Sequence, residues 1–208
     1  MIFAYNKEQV GDVLMVILQE TKDVKRHVER RGKVARVVSE ENGDTLAWNI
    51  FEASTLLDIT ENGQVFLTQS DIDCLNQELQ KEGFDATLEA SETPVFCVGQ
   101  ILEMVAHPDS DHLNICQVQI ADHKQVQIVA GAPNATVGLK TIVALPGAMM
   151  PSGSLIFPGK LRGEDSFGMM CSPRELDLPN APQKRGIIEL DASAVVGESF
   201  DPEKHWKA

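Results

Sequence analysis

The stretch VFCVGQILEMV, residues 95–105, decides the fold of the second half of this 208-residue chain. Apolar side chains occupy both alternating sets of positions, and alternate side chains of a strand point to opposite faces. This pattern is typical of a strand that is covered on two sides. The central Gly99 permits the sharp coil that closing a small barrel requires. We therefore expect the first strand of a small barrel here.

Three more apolar segments follow at close spacing with Gly or Pro between them: LNICQVQI, QVQIVAG and TIVAL, within residues 113–145. Such a succession of short strands predicts an all-β barrel or sandwich. Within LNICQVQI the apolar positions change parity between Ile115 and Val118. A β-bulge near Cys116 would explain that change.

The first ninety residues mix short strands with one helix. The segment SDIDCLNQELQKEG, residues 70–83, has the period of a helix, with Ser70 as N-cap and Asp73 completing a capping box. We expect this helix to pack on a small sheet. Its strands are predicted where β-branched and aromatic residues stand between turn residues, at 2–5, 13–18, 33–38, 46–51 and 64–68, with a further strand at 84–90.

These patterns predict two domains. An α+β domain should span residues 1–91 and an all-β domain residues 92–200, with a polar linker at 91–94. Residues 201–208 are expected to form a frayed tail. Apolar residues make up 43% and charged residues 24% of the chain, as in folded globular proteins.

The sequence disfavours several classes of protein. No secretory leader is apparent and the apolar run 13–18 is too short to span a bilayer, so we expect a cytoplasmic protein without a membrane partner. The four cysteines form no Cys-x-x-Cys pair, which disfavours a zinc knuckle and a disulfide framework. No nucleophile with a base and no paired carboxylates stand out. We expect no enzyme activity and no cofactor.

The charge distribution leaves two interpretations open. The net charge of −13 argues against a polyanionic partner such as nucleic acid. Residues 22–36, however, form a basic segment opposed only by Asp23 and Glu29. This segment is either a solvated face that balances acidic neighbours or a phosphate track. Its candidate RNA contacts are Lys25, Arg26, Arg30 and Arg31.

Two motifs resemble known kinds of ligand site. In HPDSDHLNIC, residues 107–116, the histidines and aspartates are ordinary zinc or iron ligands, but third and fourth ligands are absent nearby. The loop GAPNATVGLKT, residues 131–141, resembles a phosphate-binding P-loop superficially. Its spacing departs from that motif because Leu139 follows Gly138, so we interpret it as a strand connection with Asn134 as a turn residue.

Three segments in order carry a family resemblance: VGQILEMVAHPDSDHLNICQVQI (98–120), QIVAGAPNATVGLKTIVALPGAMMPSG (127–153) and KLRGEDSFGMMCSPRELDL (160–178). They closely resemble the tRNA-binding domain of the bacterial phenylalanyl-tRNA synthetase β subunit and of free-standing tRNA-binding proteins. GIIELDASAVVGESF, residues 186–200, is similar to a downstream segment of the same subunit. The whole layout resembles the YtpR-type tRNA-binding proteins of low-GC Gram-positive bacteria.

The resemblance implies an OB-fold barrel in which HPDSDHLNIC joins the first two strands as a turn, with Pro108 fixing the backbone. It also implies an RNA site. Lys160 and Arg162 would pair with phosphates, while Ser166 and Met169 match positions implicated in tRNA contact in free-standing relatives. His112 stands where related domains usually have Lys or Arg. The candidate RNA-binding residues are Lys160, Arg162, Ser166, Gly168, Met169, His112 and Asn114.

Other roles for these residues stay open. Met169 and Met170 could belong to the core, and Arg162 could pair only with Glu164 or Asp165. The function that the resemblance implies is non-catalytic binding of tRNA or another structured RNA, read by backbone and shape. Aromatic residues, at 5%, are too few for single-strand binding led by stacking. The alternative is a protein-interaction scaffold that has kept the OB fold but binds RNA weakly or not at all, with another protein as its partner. Because free-standing relatives often pair, the resemblance also implies a homodimer.

Overall fold

The computed structural model describes residues 1–89 and 93–206 of the chain. It divides into two compact units, Met1–Glu92 and Thr93–Ala208, called unit 1 and unit 2 below. Both units are built mostly from β-strands. The first two residues of the predicted linker at 91–94 lie outside the described residues.

Unit 1 is one antiparallel sheet with a single long helix. Its strands are β1 (Ile2–Tyr5), β2 (Val13–Ile17), β3 (Arg26–Arg31), β4 (Val34–Ser39), β5 (Thr45–Phe51) and β6 (Gly63–Gln64), in the order β3-β4-β5-β2-β1-β6. A short helix, α1 (Lys7–Val10), follows β1, a 3₁₀ turn occupies Ala53–Thr55, and α2 spans Gln69–Lys81. The basic segment thus forms the edge strand β3 and the strand beside it.

Helix α2 packs on the sheet, which confirms the prediction from its apolar period. Ile72, Leu75 and Leu79 are fully buried in the same core as Trp48 and Ile50 of β5. The predicted N-cap was wrong by two residues. Thr68 caps the helix, and Asp71 accepts from the Thr68 N–H at 2.9 Å while the Thr68 hydroxyl accepts from Asp71 N–H at 3.3 Å.

Three strand assignments in unit 1 differ from the structure. Of the strand predicted at 64–68, only Gln64 lies in a strand, β6 (Gly63–Gln64). Strand β3 was missed because it lies at the sheet edge, where charged side chains replace the alternation of apolar and polar residues. Residues 84–89 form no strand although Phe84 and Leu88 are buried, and Ala90 lies outside the described residues. The side chain of Asn76 binds both the N–H (2.7 Å) and the C=O (3.0 Å) of Leu88, in place of a strand partner.

Unit 2 is built on a curled sheet of five strands. These are β7 (Phe96–Ala106), β8 (Asn114–Ala121), β9 (Lys124–Ala130), β10 (Lys140–Ala144) and, after a separate hairpin of β11 (Gly159–Leu161) and β12 (Glu164–Ser166), β13 (Met169–Met170). Their order in the sheet is β13-β10-β7-β8-β9, and the neighbours are antiparallel.

Strand β7 is covered on both faces, as its pattern predicted. Cys97 and Ile101 belong to one buried cluster, whereas Val98 belongs to another. A Cβ atom on Gly99 would lie 2.6 Å from Val143 Cγ2 and 2.9 Å from Val118 Cγ1. Glycine is therefore required for the close approach of the strands on either side of β7.

The predicted bulge near Cys116 was wrong. Where β7 pairs with β8 the register shifts in β7, between Ile101 and Glu103, and where β8 pairs with β9 it shifts in β8, between Gln119 and Ala121. Strand β8 keeps one buried parity through Cys116, Val118 and Ile120, and Ile115 lies half-buried on the opposite face.

The two outer edges of the curled sheet are linked through the residues that precede β13. Phe167 N–H donates to Gln127 O of β9 at 2.8 Å, and Val129 N–H donates to Ser166 Oγ at 3.1 Å. The five strands therefore form a half-barrel whose last strand returns toward β9.

The C-terminal segment does not fray as predicted. It forms α3 (Pro202–His205), in which His205 is buried, and Trp206 Nε1 donates to Pro179 O at 2.8 Å. Residues 207–208 lie outside the described part of the chain. Of the helices formed by the described residues, none is long and apolar enough to cross a membrane.

Candidate nucleic-acid interface

The loop 107–113 joins β7 to β8 and is held by its buried histidine. His107 is 3% exposed, and its Nδ1 accepts from Asp109 N–H at 3.0 Å. Its Nε2 lies 3.1 Å from Leu161 O, so the tautomer that satisfies both contacts carries the proton on Nε2. His107 therefore ties this loop to β11. Within the residues that the structure describes, no three His, Cys, Asp or Glu side chains are grouped to hold a metal ion.

The hairpin β11–β12 carries the two predicted phosphate contacts. Its two-residue turn, Arg162-Gly163, has φ values of +49° and +93°, as tight hairpin turns require. Arg162 Nη1 donates to Asp109 O at 2.9 Å, and among the described residues Arg162 forms no ion pair with Glu164 or Asp165. Lys160 Nζ lies 3.3 Å from Asp165 Oδ1, with 67% of the lysine side chain exposed.

Ser166 and Gly168 turn into the barrel. The Ser166 hydroxyl accepts from Val129 N–H and lies 3.3 Å from Gly168 O, to which it can donate. A Cβ atom on Gly168, whose φ is +145°, would lie 2.7 Å from Ala144 O. Both residues thus take part in the closure of the sheet, and their assignment as RNA contacts stays a prediction.

The two methionines differ in burial. Met170 is 4% exposed and belongs to the core, Met169 is half-buried, and both line a surface cleft. His112 is 55% exposed, and its Nδ1 lies 2.8 Å from Asp111 Oδ1; this hydrogen bond holds the pKa of Asp111 below its ordinary value. Asn114 begins β8 opposite Ala130 and is half-buried.

Most of the candidate RNA-contact residues of unit 1 already contact neighbouring rings or backbone carbonyls. The Arg30 guanidinium lies 4.1 Å from the centroid of the Phe51 ring. Arg31 lies 4.4 Å from the Phe84 centroid and donates to the backbone carbonyl of Gly83. Arg26 Nη1 donates to Thr21 O at 2.8 Å. Lys25 is exposed.

The sequence did not reveal a cleft of about 360 Å³ in unit 2. We call it the Arg174 cleft; its lining includes His112, Gly131, Met169, Ser172, Arg174 and Arg185. A neighbouring cleft of about 610 Å³ shares Met169, Ser172, Arg174 and Glu175 with it. The pattern Ser172-x-x-Glu175, typical of a capping box, could have indicated the turn that carries Arg174.

That turn is fixed by reciprocal hydrogen bonds. Ser172 N–H donates to Glu175 Oε2 at 2.7 Å, and Glu175 N–H donates to Ser172 Oγ at 3.3 Å. Leu176 and Leu178 anchor its end in the core. Arg174 is exposed at the tip, and no hydrogen bond or ion pair joins its side chain to the rest of the described chain.

The thiols of unit 2 are unsuited to nucleophilic chemistry. Burial raises the pKa of Cys97 and of Cys116 to about 11 and that of Cys171 to about 12. Each thiol therefore stays protonated near neutral pH, and the thiolate is the nucleophilic form.

Unit 2 is thus a curled β-sheet with a hairpin that exposes Lys160 and Arg162 and with a surface cleft lined by Arg174 and Arg185, features typical of a binding module. Residues 96–199 match the family described as "Putative tRNA binding domain", and residues 21–91 match a domain of unknown function. The chain is 41% identical over 196 residues to the "Putative tRNA-binding protein YtpR" of Bacillus subtilis, covering 94% of this chain and 97% of that protein. The chain therefore belongs to the YtpR family, whose second domain is this tRNA-binding module.

Unit 2 is also similar to part of a larger protein. The chain is 43% identical over 136 residues to the phenylalanine–tRNA ligase β subunit of Rhodospirillum rubrum, covering 62% of this chain and 16% of that subunit. The corresponding subunit of Dechloromonas aromatica is 41% identical over 122 residues, with 59% and 15% covered. Because so little of each subunit is spanned, the likeness concerns one domain of the ligase.

Proposed function

We propose that this protein binds tRNA or another structured RNA through unit 2 and catalyses no reaction. Its membership of the YtpR family and the domain match over residues 96–199 support this function. The half-barrel, whose edges are linked by the bond from Phe167 N–H to Gln127 O, supports an OB-type barrel as the scaffold. OB-type barrels commonly bind nucleic acids on one face and its flanking loops.

The observation that carries the proposal is the hairpin β11–β12, which raises Lys160 and Arg162 into solvent. The ion pair between Lys160 and Asp165 is exposed on both sides, and such pairs contribute only about 0–1 kcal/mol, so a phosphate can replace Asp165 as the partner. Arg162 uses one nitrogen to bind Asp109 O, and a guanidinium has five N–H donors in all. Its remaining donors are available to phosphate oxygens.

Pre-organisation of the hairpin supports the same assignment. His107 binds Leu161 O from a buried position, and Arg162 binds Asp109 O in the loop that His107 also holds. A hairpin fixed before binding loses less conformational entropy when RNA docks. Lys25 and Arg26 of unit 1 are then secondary phosphate contacts, while Arg30 and Arg31 mainly stabilise the fold.

A titration of fluorescently labelled total tRNA with the intact chain tests this function. At about 50 mM salt we expect saturable binding that weakens steeply toward about 200 mM, because phosphate contacts release counterions. A matched titration with duplex DNA of equal charge should give weaker binding. Absence of tRNA binding even at low salt would overturn the proposal and favour the protein-interaction scaffold.

A further inference from the structure

We infer that the Arg174 cleft receives one unstacked nucleotide of the bound RNA, with its phosphate between Arg174 and Arg185 and its base against Met169. This inference rests on the proposed function and deepens it, because it names a second contact and the part of the RNA that occupies it. The cleft volume of about 360 Å³ falls within the range of roughly 300–1,000 Å³ that small-molecule sites occupy. A single nucleotide is a ligand of that size.

The charges of the lining favour a phosphate in this cleft over its neighbour. Arg174 and Arg185 both line the Arg174 cleft, where Glu175 is the acid. The carboxylate of Glu175 is already bound by Ser172 N–H at 2.7 Å. The neighbouring cleft has Arg174 alone as its cation and adds a second acid, Asp177. The first cleft is therefore net positive and the second net negative in a chain of net charge −13.

Arg185 is held in place by a side-chain clamp that the sequence did not reveal. Asn134 Oδ1 accepts from Ile187 N–H and Asn134 Nδ2 donates to Ile187 O, each at 2.9 Å. Asn134 is thus more than the turn residue that its loop predicted. A Cβ atom on Gly186 would lie 2.9 Å from Asn134 Oδ1, so the segment lies tightly against this amide. Arg185 Nη2 also donates to Gly131 O at 3.3 Å.

The apolar part of the lining suits a base. Met169 is half-buried in the cleft, and Leu113 and Pro133 line the same space. The exposed ring of His112 stands among the lining residues, where it can stack on a base. Bases that RNA-binding proteins read are commonly splayed out of the helix and packed on such side chains. The turn that carries Arg174 is already fixed, so the site requires little rearrangement.

The test uses the intact chain with ¹³C-labelled methionine methyl groups. We expect cytidine and adenosine 5′-monophosphate to shift the Met169 methyl resonance while that of Met104, which lies on β7 and lines neither cleft, stays unchanged. Arg174→Glu should abolish the shift and weaken tRNA binding about tenfold or more, because it removes a charge-assisted hydrogen bond to phosphate and places a like charge beside it. The matched control is Lys124→Glu, which reverses another exposed cation in the β8–β9 hairpin and should keep tRNA affinity within about twofold.

The outcomes separate the two proposals. If the unmodified chain binds tRNA but Arg174→Glu behaves like Lys124→Glu, the cleft is not occupied by RNA and this inference falls while the proposed function stands. If the unmodified chain binds no tRNA, the proposed function fails and the inference fails with it. Arg185→Gln, with an unchanged Met104 resonance as evidence of folding, should cause a smaller loss of tRNA affinity. An unchanged affinity in this second variant would also overturn the inference.

Discussion

The edge strand β3 of unit 1 and the hairpin β11–β12 of unit 2 both present arginine or lysine side chains at the surface, yet their cations are used differently. In β3, Arg30 and Arg31 lie over the rings of Phe51 and Phe84. In the hairpin, Lys160 has only an exposed carboxylate as its partner. The arginines of β3 are therefore bound by neighbouring side chains of their own unit, although β3 has more basic residues than the hairpin. We therefore expect that neighbouring side chains, and not charge density, decide which cations are available to RNA.

Removing two positive charges from each region tests this difference and should give the largest effect on tRNA affinity. We expect Lys160→Gln with Arg162→Gln to weaken tRNA binding about tenfold or more and to lower the salt dependence, with the slope of log K against log salt falling by about 1.5–2. Arg30→Gln with Arg31→Gln removes the same charge and should change affinity by about twofold or less. Fluorescence anisotropy at several salt concentrations measures both.

Equal losses of tRNA affinity in the two double variants would contradict this expectation, because they would mean that net charge alone governs binding. A greater loss from the β3 variant would reverse it and make the basic segment the main phosphate track. Circular dichroism of both variants checks that each still folds.

The arginines of β3, which should matter little for RNA affinity, should matter for the unfolding free energy of unit 1. Arg31→Ala removes the contact with the Phe84 ring and the hydrogen bond to Gly83 O. A cation–π contact contributes about 0.5–1 kcal/mol and a hydrogen bond about 1 kcal/mol, so we expect unit 1 to lose about 1–2 kcal/mol of unfolding free energy. Urea unfolding measures the loss in a Trp206→Phe background, where Trp48 of unit 1 is the sole tryptophan reporter.

The matched control for that measurement is Lys25→Ala in the same basic segment. Lys25 is exposed, and such surface substitutions usually change stability by less than about 0.5 kcal/mol. If Lys25→Ala lowered the unfolding free energy as much as Arg31→Ala, the contact between Arg31 and the Phe84 ring would not explain the loss.

The sequence predicted elements whose side chains alternate or repeat toward a core. The sequence predicted strand β7, with Gly99 where the neighbouring strands approach closely, and helix α2, because burial imposes a regular pattern of apolar residues on both. Strand β3 could not be recovered from apolar periodicity, since an edge strand with charged side chains carries none. The cap of α2 was misplaced because Thr68-x-x-Asp71 and Ser70-x-x-Asp73 fit the same pattern.

Long-range pairing limited prediction of the candidate site. Ser166 and Gly168 belong to a motif that suggests ligand contact, but their partners Val129 and Ala144 come from other strands. Arg174 and Arg185 line one cleft, and Asn134, from another part of the chain, holds the backbone of Ile187 two residues after Arg185. Such contacts depend on strand order and register, which periodicity within one segment does not specify.

The smallest effect we expect comes from freeing a hairpin cation. Asp165→Asn removes the carboxylate that lies 3.3 Å from Lys160 Nζ, while the Asp165 backbone carbonyl still accepts from Gln127 Nε2. Because an exposed ion pair contributes about 0–1 kcal/mol, tRNA affinity should rise by roughly twofold to fivefold. Asp122→Asn in the turn after β8 removes the same charge away from the hairpin and should raise affinity less. Equal gains would show that the change in net charge, and not release of Lys160, strengthens binding.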